Sequence, residues 1–189
     1  MRKLRLAIAG LAALPFALLG QFNAGESEEQ VTLEVGDDAP DFSLPASDGN
    51  EYKLSEVLKD GPVVLAWFPK ADTPGCTAQC KSIAKNGDMI REYKVTYFMI
   101  SVDTVEDNTK FAEKYSADFP ILSDTTKEVA NEYGVLRTMG KYTIPARDTF
   151  YIGTDGKILK IERNVKVNTA AEDMAANLKE LNVDRVEST

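Results

Sequence analysis

Val63-Val64-Leu65-Ala66-Trp67-Phe68-Pro69-Lys70-Ala71-Asp72-Thr73-Pro74-Gly75-Cys76-Thr77-Ala78-Gln79-Cys80 carries the reading of the fold. Its first six residues form a continuous apolar run with β-branched members, the pattern of a strand buried on both faces. Pro69 cannot donate to a sheet ladder and stops that strand. Beyond a loop at 70–75, the segment 76–93 has helical composition, with Ile83, Met89 and Ile90 assigned to one buried face. A buried strand that passes through a tight loop into a helix sets Cys76 at the helix N-terminus.

The same alternation continues outward. A buried strand is expected at 95–102, a helix at 105–115 with Phe111 and Tyr115 four apart, a short strand at 120–123 and a helix at 126–133. Strands at 149–153 and 157–162 flank Thr154-Asp155-Gly156 as a hairpin, and a last helix covers 170–181. Upstream, Asp41-Phe42-Ser43-Leu44 and Asn50-Glu51-Tyr52-Lys53-Leu54 flank Ala46-Ser47-Asp48-Gly49 as a small hairpin, followed by a short helix at 55–58. Together these predict an α/β domain with a mixed central sheet, helices on both faces and an N-terminal β-hairpin.

The chain has 189 residues and 43% hydrophobic content, enough for one domain with a core. Residues 1–24 combine Arg2, Lys3 and Arg5 with an uncharged apolar run that is short for a membrane span, and read as a signal peptide or N-terminal anchor. Neither Phe22 before Ala24 nor Leu18 before Gly20 makes a small-x-small cleavage pair, so both forms stay open. The acidic stretch 25–30 reads as a linker and 31–189 as the domain. Export to a periplasmic or envelope-associated location is the expectation. The net charge is −8, and the three basic residues near the N-terminus leave the body more acidic still, so nucleic acid and anionic surfaces are repelled. Membrane contact is expected only through an uncleaved N-terminal segment.

The sequence contains no histidine. Cys-His and Ser-His catalysis and most zinc sites are excluded, because the base or ligand does not exist. A reactive cysteine must instead draw on dipoles, hydrogen bonds and cations. At a helix N-terminus, unpaired N–H groups and the positive end of the dipole favour the thiolate. Pro74 suits the first turn, Gly75 leaves backbone room for a small substrate, and the Thr73 hydroxyl can stand beside the sulfur. Each feature has a plainer reading: two cysteines in an exported protein often form a structural disulfide, Thr73 is an N-cap, and Pro69 is a strand stop. A bridge four residues apart closes a very small loop and gives little stability. Arg147, just before the strand at 149–153, is the best candidate for a second cation, although an arginine there is usually a surface charge.

Pro69-x-x-x-Thr73-x-x-Cys76 resembles the active-site motif of the peroxiredoxins in the AhpC/TSA family. Thr73-Pro74-Gly75-Cys76-Thr77 is similar to the bacterioferritin comigratory protein, or PrxQ, branch. The resemblance extends over about 31–182 and includes Val35-Gly36-Asp37-Asp38-Ala39-Pro40-Asp41-Phe42, Phe111-Ala112-Glu113-Lys114-Tyr115, Phe119-Pro120-Ile121-Leu122-Ser123-Asp124 and Arg147-Asp148-Thr149-Phe150. It implies a thioredoxin-like fold and a thiol-dependent peroxidase in which Cys76 is the peroxidatic residue, oxidised by hydrogen peroxide or organic hydroperoxides to a sulfenic acid. By the same resemblance, Thr73, Arg147 and the Cys76 N–H align the peroxide, and Pro69 shields the thiolate. No metal, haem, flavin or other cofactor is implied.

The departure lies at Cys80, which stands four residues after Cys76 where the branch commonly has its resolving cysteine five residues on. Positions four apart share a helix face but are poorly directed for a disulfide unless the first turn unwinds. Internal resolution by Cys80 and resolution by an external thiol both remain, with a thioredoxin-like reductant as partner and a monomer or weak dimer as the assembly. A thioredoxin-like thiol-disulfide oxidoreductase is a rival, but it needs Cys-x-x-Cys. A non-catalytic domain that keeps a disulfide is another.

Overall fold

The computed structural model describes residues 31–187; the proposed signal or anchor at 1–24 and the linker at 25–30 lie outside them. In chain order the elements are β1 (Ser43–Pro45), β2 (Glu51–Lys53), α1 (Leu54–Val57), β3 (Val63–Trp67), α2 (Pro74–Asn86), α3 (Asp88–Arg91), β4 (Thr96–Ser101) and α4 (Val105–Tyr115). They continue with β5 (Ile121–Ser123), α5 (Glu128–Glu132), β6 (Leu136–Met139), β7 (Tyr142–Pro145), β8 (Asp148–Ile152), β9 (Ile158–Arg163) and α6 (Ala170–Glu180). The central sheet has the order β5-β4-β3-β8-β9. β3, β4 and β5 are mutually parallel, whereas β8 runs antiparallel to both β3 and β9.

β3 lies at the middle of this sheet and is buried along its whole length. Its side chains alternate between two cores, as the period of two requires. Val64 and Ala66 join Ile83, Ile90, Phe111 and Met174 under α2, α3, α4 and α6. Val63, Leu65 and Trp67 join Leu54, Val129, Tyr133 and Phe150 on the side of α1 and α5. The mixed sheet with helices on both faces is therefore present, as is the N-terminal hairpin, in which Ser43 pairs with Lys53 and Pro45 with Glu51. Gly49, at φ +84°, makes its turn.

Two expectations are corrected. The helix read over 76–93 is broken: α2 ends at Asn86, and α3 starts at Asp88 after the buried Gly87. A side chain at Gly87 would meet the Ile83 carbonyl at 2.9 Å and the Arg91 guanidinium at 2.8 Å. Met89 is 42% exposed instead of buried with Ile83 and Ile90. Ile90 is seven positions from Ile83 and shares its face, while Met89 is rotated off that face by about 100°. The second correction is an addition, the antiparallel hairpin β6–β7 with Gly140 at φ +60° in its turn. β6 is mostly exposed and β7 only partly buried, so the alternation that marks a buried strand is missing from the sequence there.

Tyr133 links the helix layer to the chain's start. Its ring packs edge-on against Phe150 at 5.1 Å and tilted against Trp67 at 6.0 Å. Its buried hydroxyl donates to the Pro40 carbonyl at 2.9 Å. Tyr133→Phe should lower the unfolding free energy by about 1 kcal/mol, the usual cost of one lost hydrogen bond. Tyr133→Ala should cost about 3–5 kcal/mol through the cavity it leaves. Urea unfolding followed by Trp67 fluorescence checks both, and equal losses would show that the hydroxyl and not the ring does the work.

Candidate active site

The site forms where β3 and β8 lie side by side in opposite directions. Ala66 pairs with Thr149, so the end of β3 meets the beginning of β8. The loop carrying Cys76 leaves from one strand at the point where Arg147 enters the other. Residues 71 apart in sequence thereby come into contact: Arg147 Nη2 donates toward Cys76 Sγ at 3.4 Å. The Cys76 sulfur stands in the first turn of α2 and the residue is fully buried.

Each part of the loop has its own support. Asp103, buried at the end of β4, accepts from Lys70 Nζ and from the Ala71 N–H, both at 2.8 Å, and from Ser101 Oγ at 3.1 Å. The Asp103 carboxylate raises the Lys70 pKa above its ordinary value. Asp72 takes the left-handed conformation at φ +59°, which a short polar side chain tolerates, and pairs with Lys114 at 2.9 Å. Pro69, half-buried, follows the strand end, and Pro74 occupies the first position of α2 as expected.

Two residues act differently from the reading of the sequence. The Thr73 hydroxyl donates to the Lys70 carbonyl at 2.9 Å and does not cap α2. Its proton is committed within the loop, and its oxygen remains as an acceptor. The space at Gly75 serves Arg147: a Cβ there would lie 3.0 Å from Arg147 Nη2. Glycine at this position lets the guanidinium close over the helix start, so the room it provides is already filled by protein.

Gln79 is a member of the site that the sequence reading missed. It is fully buried, and its Oε1 accepts from Arg147 Nη1. One guanidinium thus bridges Gln79 and Cys76, the planar two-donor geometry that arginine allows and lysine does not. The signal was present, since a polar side chain three positions after Cys76 shares its helix face. Gln79 Nε2 has no hydrogen-bond partner, an arrangement that costs about 1–3 kcal/mol when a donor is buried. Asp148, next to Arg147, is buried but bonded to Arg163 at 2.7 Å, so its charge has a partner of its own.

Cys80 is brought to the same region, on the same helix and in the same core cluster as Cys76. Both cysteines are free thiols and fully buried. Burial, with the neighbouring Cys76 charge as the second cause, pushes the Cys80 thiol up to about 12. It is therefore a neutral thiol in the folded protein. Among the described residues no cluster of three His, Cys, Asp or Glu side chains is placed to hold a metal ion. A cavity of about 750 Å³ opens beside Pro69 and Thr73, lined by the apolar Val102, Met139, Tyr142 and Ile144 together with the charged Lys70, Asp103, Lys127 and Lys141.

Comparison with known proteins shows the family and the fold. The family model described as "AhpC/TSA family" matches residues 35–161. A putative peroxiredoxin of Mycobacterium tuberculosis is 40% identical over 130 residues, covering 68% of this chain and 84% of that protein. Peroxiredoxin Bcp of Escherichia coli is 38% identical over 153 residues, covering 78% of this chain and 97% of its own length. The crystal structure of peroxidoxin BcpB from Mycobacterium tuberculosis superimposes with a TM-score of 0.72 at 36% identity, covering 79% of this chain and 98% of that one. A buried cysteine at a helix start under an arginine, in a thioredoxin-like sheet, thus stands within a matched segment of more than half the chain: the protein belongs to the AhpC/TSA family, with the peroxiredoxins of the Bcp, or PrxQ, branch.

Proposed function

We propose that the protein is a thiol-dependent peroxidase that reduces hydrogen peroxide and organic hydroperoxides through a sulfenic acid on Cys76. The contact between Arg147 Nη2 and the buried Cys76 sulfur carries the proposal. The thiolate attacks one peroxide oxygen, an S–O bond forms and the O–O bond breaks, and the sulfur gives up two electrons. The departing oxygen takes a proton and leaves as water or an alcohol. Arg147 and the N–H groups of the first turn of α2 face the charge as it moves from sulfur to oxygen. The Thr73 oxygen, with its own proton on Lys70, accepts from the peroxide O–H. Pro69 and the closed packing keep bulk water from the sulfur, while the apolar cavity beside them has room for the organic part of a hydroperoxide.

Cys80 is the proposed resolving residue. Its sulfur attacks the Cys76 sulfenic sulfur, an S–S bond forms, and the oxygen leaves as water. Helix positions four apart are poorly aimed for a disulfide, so this step requires the first turn of α2 to unwind, which also exposes Cys80 and relieves the burial that keeps it neutral. A thioredoxin-like donor then reduces the disulfide. We infer from residues 1–24 that the protein is exported, to a periplasmic or envelope-associated location; a monomer or weak dimer is proposed as its assembly.

Cys76→Ser should abolish peroxide consumption. Arg147→Lys, which keeps the charge but cannot bridge sulfur and Gln79, should lower the second-order rate with peroxide by about 100-fold. Stopped-flow oxidation of the reduced protein measures both, and near-parent turnover in Cys76→Ser would refute the assignment.

Cys80 should resist alkylation in the native reduced protein. At pH 8 a thiol with a pKa of about 12 is roughly one part in ten thousand thiolate. Iodoacetamide labelling read by mass spectrometry should therefore be at least about 100-fold slower at Cys80 in native protein than in urea. After one equivalent of peroxide a Cys76–Cys80 disulfide should appear; a persistent sulfenic acid or a mixed disulfide on Cys76 would assign resolution to an external thiol.

A further inference from the structure

Gln79 Nε2 is a buried donor beside Arg147 and Cys76 that has no hydrogen-bond partner among the described residues, although the residue is fully buried. The amide cannot be turned round to cure this. Arg147 Nη1 donates to Oε1, and a reversed amide would set two donors against each other. Arg147 therefore fixes which end of Gln79 accepts and leaves the other end free. The free end belongs to an amide that one guanidinium ties to the reacting sulfur, contacting Gln79 through Nη1 and Cys76 through Nη2, and the two residues share one face of α2; Nε2 itself makes no bond to the reduced sulfur. Since the Thr73 hydroxyl donates to Lys70, it does not supply a donor here.

An acceptor appears at this place only during the reaction. Oxidation leaves an oxygen on the Cys76 sulfur, and this oxygen becomes the leaving group when a thiol attacks that sulfur. We infer that, while the first turn of α2 stays wound, Gln79 Nε2 donates to the oxygen carried by oxidised Cys76, stabilising it as charge gathers there when an external thiol attacks the sulfur. The incoming thiolate forms an S–S bond, the S–O bond breaks with its electron pair on oxygen, and a proton converts the departing hydroxide to water. This assignment rests on the peroxidase reading and adds a catalytic residue for resolution by an external thiol.

The test separates the two half-reactions in the full-length protein carrying Cys80→Ser, so that a small external thiol is the only resolving agent. One stopped-flow mix gives the rate of Cys76 oxidation by hydrogen peroxide, and a second gives the rate at which the sulfenic acid reacts with the thiol. Gln79→Glu keeps an acceptor for Arg147 and removes the donor; Gln79→Met removes both. Gln79→Glu should slow the thiol reaction at least about tenfold more than it slows peroxide oxidation, since a donor to a developing oxyanion is lost only in the second step. Gln79→Met should show the same excess on top of a slower oxidation, because Arg147 loses its anchor. Equal slowing of both steps in both variants would overturn the assignment and reduce Gln79 to a positioning residue for Arg147. A thiol reaction at the parent rate would overturn it as well. Absence of any sulfenic acid on Cys76 in the Cys80→Ser parent would remove the peroxidase reading itself, an outcome distinct from the other two.

Discussion

The antiparallel pairing of β8 with β3 is the constraint on which the site depends. The other neighbour of β3 is parallel, and a parallel β8 would have put Arg147 at the opposite edge of the sheet from the Cys76 loop. With Ala66 opposite Thr149, the beginning of β8 falls beside the end of β3, and the arginine reaches a sulfur that bulk water does not. A thiolate removed from solvent needs a compensating charge and oriented donors. The strand order supplies the first and the start of α2 supplies the second.

The remaining structure keeps these two pieces in register. Asp103 ties the loop to the end of β4 through the Lys70 ammonium and the Ala71 N–H, and Ser101 braces Asp103 in turn. Asp148 could have drawn Arg147 away, but it is bonded to Arg163 instead. Gly75 allows the guanidinium to approach the helix backbone, and Gln79 holds its other side. The cation is thus set by packing and hydrogen bonds on both sides, which is the form preorganised electrostatics takes at a reacting centre.

Much of this could be read from residue patterns, for reasons that differ by element. The run from Val63 to Phe68 announces a central strand because both its faces are apolar, and Pro74 announces a helix start because its fixed φ and missing N–H suit the first turn. The break at Gly87 could not be read, since helical composition continues through it and the reason for glycine is the nearby Ile83 carbonyl and Arg91. The β6–β7 hairpin was hidden because β6 is exposed and β7 only partly buried, which leaves no apolar period to read. Gln79 was passed over because a lone polar residue on a helix is ordinarily solvated; only the structure shows it buried.

The sequence by itself determined which atoms can react. With no histidine in the chain, a reactive cysteine had to be stabilised as a thiolate by dipoles, hydrogen bonds or a cation, the loop from Pro69 to Cys76 set one at a helix N-terminus, and the resemblance to the peroxiredoxins implied that it reacts. The tertiary structure alone decided what surrounds it. Whether Thr73 faces the sulfur or its own loop, whether Gly75 makes room for substrate or for Arg147, and how deeply Cys80 is buried all depend on contacts between residues far apart in the chain. Local patterns record the conformational preference of a segment. They do not record the neighbours that packing brings to it, and those neighbours set the charge and hydrogen bonding at Cys76.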